Sequence, residues 1–275
     1  MPLGNLTIRR ALPVRGRRLI GRWCFLDRYG PVSFTDEKPM DVAPHPHIGI
    51  QTVTWLVEGE VVHHDSLGYE AVARPGGVNL MTSGSGIAHA EETPPRNVGR
   101  LSGVQLWVAL PDARRNLAPS FEHIPEVPRL ETRGGIVHTF ASEADLAGRD
   151  VAVHRGEILH IGIDSAHEHG LFILGGDVEL DGERLEPDAL YYVEPGRSEL
   201  AFRSAGGARV LLLGGVPFTE PILMWWNFVA RTPEEIAAAR ADWEDGRRFG
   251  PVNAYQGPRI PAPPLSRIVQ ANPAS

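Results

Sequence analysis

The stretch from Pro44 to Glu92 constrains this chain more than any other, because a metal-ligand pattern stands at each end of it. It opens with His45-Pro46-His47 and closes with Gly86-Ile87-Ala88-His89-Ala90-Glu91. Side chains two residues apart on a strand point to the same face. His45 and His47 therefore share a face if their segment is extended, and Pro46 biases His45 towards extended geometry. His89 and Glu91 repeat the spacing. Folding the two strand ends together would aim three imidazoles and one carboxylate at a single point. That is the pattern of a metal site.

The residues between the two ends read as strands and tight turns. Gln51 to Val57, rich in Thr, Val and Trp, is a strand. Glu58-Gly59-Glu60 is a hairpin signal, with Val61 to Asp65 as the returning strand. Arg74-Pro75-Gly76-Gly77 turns the chain before Val78 to Met81, and Ser83-Gly84-Ser85-Gly86 makes the last turn before His89. Upstream, Phe25 to Pro31 is an apolar strand stopped by Gly-Pro, and Ser33 to Pro44 is a polar loop. Val104, Leu106, Val108 and Leu110 alternate and add one more strand. This spacing predicts an antiparallel barrel or sandwich.

From Pro111 to Pro128 the pattern loosens, and the domain boundary falls near its end. Residues 1–128 form an N-terminal unit that holds the metal; residues 129–275 form a second β unit with a C-terminal helix and tail. Phe172-Ile173-Leu174-Gly175-Gly176-Asp177-Val178 echoes Trp55-Leu56-Val57-Glu58-Gly59-Glu60-Val61, and Pro187 to Val193 corresponds to Pro75 to Met81. Asp181-Gly182 is a two-residue hairpin signal. The chain is read as a diverged internal duplication. Laid over the first copy, the second has Gly162 and Asp164 at the places of His45 and His47, and Ala201 at that of His89. His167 and His169 keep the two-residue spacing but sit out of register, so one divalent metal ion per chain is expected. Thr232-Pro233-Glu234-Glu235 is a capping box that starts a helix, which Gly246 stops. The tail beyond Pro251 reads as surface-draped.

Composition narrows the function classes. A formal net charge of −7 disfavours nucleic acid as a partner. The arginines from Arg9 to Arg22 accordingly read as solvated strand faces. The single Cys24 excludes an intrachain disulfide and fits a reducing compartment. With Lys38 as the only lysine, Schiff-base chemistry has almost no candidate. Apolar runs such as Val210-Leu211-Leu212-Leu213 are too short to span a bilayer, and no leader pattern is seen. A cytoplasmic protein is expected, with no membrane partner.

Neutral imidazoles and a carboxylate, without thiolate, suit Fe(II), Mn(II), Co(II), Ni(II), Cu(II) or Zn(II) rather than Cu(I). Four such ligands in an octahedral field leave two positions open, enough for a bidentate substrate or for substrate and O₂. His63 and Asp65 also share a face. They read either as groups that orient a ligand from behind or as polar residues at a hairpin end. His64 should point the other way, and His123, His138, His154 and His160 have no companion pattern and read as structural.

Taken together, three stretches resemble the pirin family of the cupin superfamily: His45-Pro46-His47, Asp65-Ser66-Leu67-Gly68, and Met81-Thr82-Ser83-Gly84-Ser85-Gly86-Ile87-Ala88-His89-Ala90-Glu91. Phe25 to Pro31 and the helix region Thr232 to Gly250 extend the resemblance over nearly the whole chain. It implies an all-β bicupin: two cupin-type antiparallel β-barrels with a short C-terminal helix. It also implies a metal in the N-terminal barrel, Fe(II) first among candidates, held by His45, His47, His89 and Glu91. The implied activity is that of a quercetin 2,3-dioxygenase, acting on a flavonol-like substrate with O₂. Glu91, if it loosens from the metal, would then accept the substrate's hydroxyl proton as general base. The alternative is a non-enzymatic, redox-sensitive regulator that binds a transcription factor or a metabolic enzyme. Three departures mark a side branch. Gln51 stands where many cupins carry their carboxylate ligand, so Glu91 must serve; Arg28 replaces a common histidine; Trp225-Trp226-Asn227 replaces a small, Gly-Pro-like segment.

Overall fold

The computed structural model describes residues 2–3, 6–35, 38–265 and 269–271. Among them the chain is antiparallel β-structure with one α-helix, Pro233–Glu244. It divides into two compact units, residues 1–18, 24–125 and 219–275 in the first, and residues 19–23 and 126–218 in the second. The expected division at Pro128 gave everything after it to the second unit. The chain instead returns to the first unit at Thr219, and the helix and tail belong there. The reason is apolar burial. Ile236, Ala239 and Trp243 of the helix cluster with Ala88, Ala90, Ile48 and Phe228, so the helix covers the backs of the strands that carry the ligand pattern.

The first unit has a seven-stranded sheet in the order Pro2–Leu3, Leu6–Leu12, Trp23–Ser33, Arg100–Ala109, Ile50–Glu58, Val78–Thr82, Ser120–Ile124. Its four-stranded sheet runs Asp41–His47, Ile87–Glu92, Val61–Asp65, Glu70–Ala73. A small sheet joins Phe228–Ala230, Ile222–Trp225 and the tail strand Val269–Ala271. In the second unit a six-stranded sheet runs Arg129–Thr132, Gly135–Glu143, Leu146–Val153, Ala208–Gly215, Glu168–Gly176, Leu190–Val193. A four-stranded sheet runs Ile158–Gly162, Glu199–Arg203, Val178–Leu180, Glu183–Leu185. The strand orders of the two larger sheets repeat between the units, but among the described residues Ser120–Ile124 and the small three-stranded sheet have no counterpart in the second. The sheets are not closed, and each unit is a cupin-like β-sandwich, so the all-β architecture of two cupin units with a short C-terminal helix is met.

Local chemistry explains where the sequence reading holds and where it slips. Asp181 and Gly182 adopt φ of 51° and 88°, the conformation that a two-residue hairpin demands, and Val178–Leu180 pairs with Glu183–Leu185 around them. Glu58-Gly59-Glu60 is not a hairpin turn. Ile50–Glu58 and Val61–Asp65 lie in different sheets, and Gly59 is the corner between them. Its φ is 89°, and a Cβ there would collide with the Arg100 carbonyl. At the helix start, Thr232 Oγ1 accepts from Glu235 N at 3.3 Å and Glu235 Oε2 accepts from Arg231 N at 2.8 Å. Gly246, at φ 69°, ends it. Among the described residues no helix is long and apolar enough to cross a membrane.

Each unit has its own core. Leu171, Ile173, Leu200, Phe202 and Val210 centre that of the second unit; Tyr29, Leu56, Val61 and Leu101 lie in that of the first. Cys24, on Trp23–Ser33, is fully buried and its thiol donates to the Trp107 carbonyl at 3.5 Å. Burial pushes its pKa up to about 12, so almost no thiolate forms at neutral pH. Native protein at pH 8 should resist iodoacetamide while the urea-unfolded chain is alkylated fully, as read by intact mass. Equal labelling of both would place Cys24 outside this core.

Candidate metal centre

Asp41–His47 and Ile87–Glu92 pair antiparallel, with His45 directly opposite His89 and a register shift between Val42 and His45. This brings together the two ends of the motif stretch. One ring nitrogen each from His45, His47 and His89 lie within 4.8 Å of one another, and all three rings are buried. Glu91 lines the same cavity but stands outside that tight group. The sequence pattern therefore anticipates the convergence of the imidazoles, while the carboxylate is not part of that group.

The hydrogen bonds decide which ring nitrogens face the site. A carbonyl oxygen can only accept, so His45 donates Nδ1–H to the Ala43 carbonyl at 2.9 Å, and His47 donates Nδ1–H to the Asn227 carbonyl at 3.1 Å. His63 Nε2 lies 3.1 Å from Asp65 Oδ2, a carboxylate that accepts its proton. In neutral His63 that leaves Nδ1 as acceptor, 3.4 Å from Nδ1 of His89, which must then donate. All three ligand rings thus turn an unprotonated Nε2 to the centre. Burial keeps them neutral: His45 is lowered to about 4, and His47 and His89 fall well below the usual value, with neighbouring imidazoles adding to the effect.

Two lone pairs facing each other without a cation between them repel. Nε2 of His47 and Nε2 of His89 are 3.1 Å apart. Two nitrogens each about 2.1 Å from a first-row ion, at right angles, stand about 3.0 Å apart. The donor set and its spacing therefore fit a divalent metal, and these three residues could hold one.

The cavity in front of them has a volume of about 390 Å³. Phe25 and Trp107 stack on one wall, their ring centroids 3.9 Å apart, and Trp226 and Ile260 also face it. Arg10 and Asp27 form a bidentate pair at 2.8 Å on both arms, with the guanidinium 4.4 Å from the Phe25 ring centroid. Glu91 is pushed up to about 7 by burial, partly opposed by the Thr54 hydroxyl, which lies 3.3 Å from Oε1.

The family model for pirin matches residues 5–108, and the model for the pirin C-terminal cupin domain matches residues 148–250. The chain belongs to the pirin family. A Pseudomonas aeruginosa protein with a provisional quercetin 2,3-dioxygenase name is 45% identical over 281 residues, covering 98% of this chain and 89% of that one. A pirin-like protein of Caulobacter vibrioides is 38% identical, covering 95% and 96%. The crystal structure of a quercetin 2,3-dioxygenase from Acinetobacter baumannii matches with a TM-score of 0.91 at 41% identity, covering 97% and 92%. A bacterial pirin from Escherichia coli solved with nickel(II) shares the fold at a TM-score of 0.61 and 17% identity, covering 78% and 93%.

Several residues of this pirin's site escaped the sequence reading. The Asn227 carbonyl, Thr54, Gln105, Trp107, Trp226 and Ile260 all line or support it. The only sequence signal for any of them is the unusual Trp225-Trp226-Asn227. Trp226 sits at φ 52° in the two-residue link between paired strands, a conformation unfavourable for its side chain, and this link presents the Asn227 carbonyl to His47. Of the two readings of His63 and Asp65, the structure supports orientation of a ligand. His63 sits on His89, its ring stacks on Phe121 with centroids 4.2 Å apart, and Asp65 Oδ1 also accepts from Leu67 N and Tyr69 N. His64 does point away, to Glu70 and Glu92.

His63→Phe would preserve the stack and remove the acceptor for His89 Nδ1–H. Metal affinity, measured by chelator competition, should fall about 10–100-fold. Unchanged affinity would mean that the His63 contact does not set the His89 tautomer.

Proposed function

We propose that this pirin is a metal-dependent dioxygenase of the quercetin 2,3-dioxygenase type. Fe(II), held by His45, His47, His89 and Glu91, would act with O₂ on a flavonol-like substrate. The observation that carries the reading is the convergence of three Nε2 lone pairs at the floor of an aromatic-walled cavity that also holds Glu91. A flat site for a polyphenol needs such walls, and a cavity of about 390 Å³ is within the range of small-molecule sites. The relatives whose names carry quercetin 2,3-dioxygenase support the same class.

When bound, the ion supplies Lewis acidity to a chelating pair of substrate oxygens and a centre for reaction with O₂. The chain's own residues do the rest. Phe25, Trp107 and Trp226 pack against the rings of the substrate and exclude water. Thr54 Oγ1 lies 3.3 Å from Glu91 Oε1, and Glu91, when it is loosened from the metal, takes the proton from the substrate's 3-hydroxyl on Oε2. Off the metal, burial raises the proton affinity of this carboxylate, the direction a general base requires. The lone thiol takes no part, being buried in the strand behind Trp107.

Purified protein loaded with Fe(II) should contain about one ion per chain by elemental analysis. His47→Ala should lose the ion and His167→Ala should keep it. A stoichiometry of two, or loss on changing His167, would overturn the ligand assignment. Aerobic turnover of quercetin, followed by loss of its visible absorbance, tests the activity. Protein that binds iron normally but turns over no flavonol would favour the regulator reading instead.

Glu91→Gln separates the two roles of Glu91. It keeps a neutral oxygen of similar shape and removes both charge and base. The variant should hold metal more weakly and, when loaded, turn over about 10²–10⁴-fold more slowly. A loaded variant at the parental rate would remove Glu91 from the proton transfer.

A further inference from the structure

The second unit repeats the strand order of the first, and it also repeats the cavity. In the first unit the cavity is walled by Leu6–Leu12, Trp23–Ser33, Asp41–His47 and Arg100–Ala109, among others. In the second, a cavity of about 190 Å³ is walled by Gly135–Glu143, Leu146–Val153, the segment after Ile158–Gly162, and Ala208–Gly215. These strands hold the same places in the two sheet orders. The ligand pattern does not recur. Ala201 lies opposite His160, where the first unit sets His89 opposite His45. The pairing thus puts His160 and Gly162, rather than Gly162 and Asp164, at the places of His45 and His47; His160 is turned outwards onto Glu199.

The charge in front of that strand pair differs as well. In the first unit Arg10 lies opposite Asp27, immediately before a register shift between Arg10 and Leu12. In the second, Thr139 lies opposite Arg149, immediately before a register shift between Thr139 and Ala141. The two pairs are equivalent, and both face their cavities. Asp27 is neutralised by Arg10. Arg149 instead faces a hydroxyl, and it has no carboxylate within ion-pair distance among the described residues. Its neighbours differ: Arg22 is paired with Glu143 and Asp145, and Arg209 with Asp150. Arg149 donates one hydrogen bond, to the Gly162 carbonyl at 2.8 Å, and has donors to spare.

Beside it stands His169, buried, with Nδ1 lacking any hydrogen-bond partner. Its ring fits only because residue 214 has no side chain; a Cβ there would lie 2.8 Å from Cδ2 and 3.0 Å from Nε2. Burial, then His167 and the Arg149 charge, lower His169 to about 4. A second metal ion is the wrong occupant. His167 Nε2 is spent on the Ala144 carbonyl at 3.1 Å, and a dication would meet the Arg149 charge. The carboxylates at the rim are exposed and engaged, Glu143 with Arg22 and Asp164 with the Ala166 amide. They would repel a multiply charged anion, and Leu146, Ile163 and Leu212 favour an apolar tail over a mineral ion.

We propose that the cavity of the second unit binds a short-chain organic monocarboxylate, its carboxylate on the Arg149 guanidinium beside His169. The site is separate from the metal centre and does not depend on the dioxygenase reading. Butyrate is the probe, titrated into metal-free and metal-loaded full-length protein by calorimetry, with inorganic phosphate in a parallel arm. Saturable binding of one butyrate per chain, equal with and without metal, is expected. Arg149→Met should weaken it about 10–100-fold, the worth of a charge-assisted pair. The His169 ring resonances of the parent protein should shift on titration. Their midpoint should rise from about 4, because a neighbouring anion favours the imidazolium against Arg149 and His167. The groups facing that ring are Arg149, His167, Asp164 and Glu143. Absence of butyrate binding, binding unchanged in Arg149→Met, binding only with metal present, or phosphate binding as tightly as butyrate would each overturn the proposal. If Arg149→Met does not fold, the parent His169 resonances decide: no shift with saturating butyrate ends it.

Discussion

The first unit depends on where three Nδ1 protons go. Burying His45, His47, His63 and His89 in one sheet is costly unless each ring is both neutral and hydrogen-bonded. The three ligand rings meet that demand with acceptors of different origin. His45 uses a carbonyl two residues back, His89 uses a ring on the adjacent strand, and His47 uses the carbonyl of Asn227. Each acceptor fixes a tautomer, and fixing the tautomer is what aims Nε2 at the centre. The return of the chain to the first unit at Thr219, driven by apolar burial, also meets this demand. Without the Trp225-Trp226-Asn227 link, His47 would be left with a buried, unsatisfied donor.

Much of this was legible because strand chemistry has a period of two. His45-Pro46-His47 and His89-Ala90-Glu91 announce themselves at any distance, and Asp181-Gly182 and Thr232-Pro233-Glu234-Glu235 carry their conformations in their residue types. The family resemblance over these motifs pointed to the same fold. What stayed hidden was long-range and mostly backbone. A carbonyl such as that of Asn227 has no residue signature, and nothing near Pro251 to Pro264 indicates that Ile260 faces the site. Gly59 was misread for a related reason. A glycine at positive φ marks a sharp change of direction, but whether the next strand pairs with the last or leaves for another sheet is settled by partners such as Arg100–Ala109, far along the chain.

The division into units was misplaced by the same blindness to distant packing. Nothing local tells Ile236, Ala239 and Trp243 which apolar face to cover. Ala88 and Ala90 are small, and they stand on the outward side of the strand whose other face carries His89 and Glu91. Small residues there let the helix region approach closely, with Phe228 and Phe249 stacked between, ring centroids 5.8 Å apart. The helix therefore braces the ligand strand from behind, and the alternation that made the metal pattern legible also created the surface that recruits the helix.

The two units together show what duplication preserves. Strand order, pairing register and the bulge beside each cavity are properties of backbone and core, and these recur. Charge at the cavity is set by a few side chains and is free to change. Where Arg10 and Asp27 cancel, the cavity in front of neutral imidazoles is left to a cation; where Thr139 and Arg149 stand, the net charge on that wall is positive. The Arg149 charge then acts on its neighbours. It helps keep His169 neutral and opposes any second cation, so loss of the inward histidines and gain of the arginine push the site the same way. One architecture thus supports different electrostatics, because the framework that shapes a cavity does not fix the charge that its walls carry.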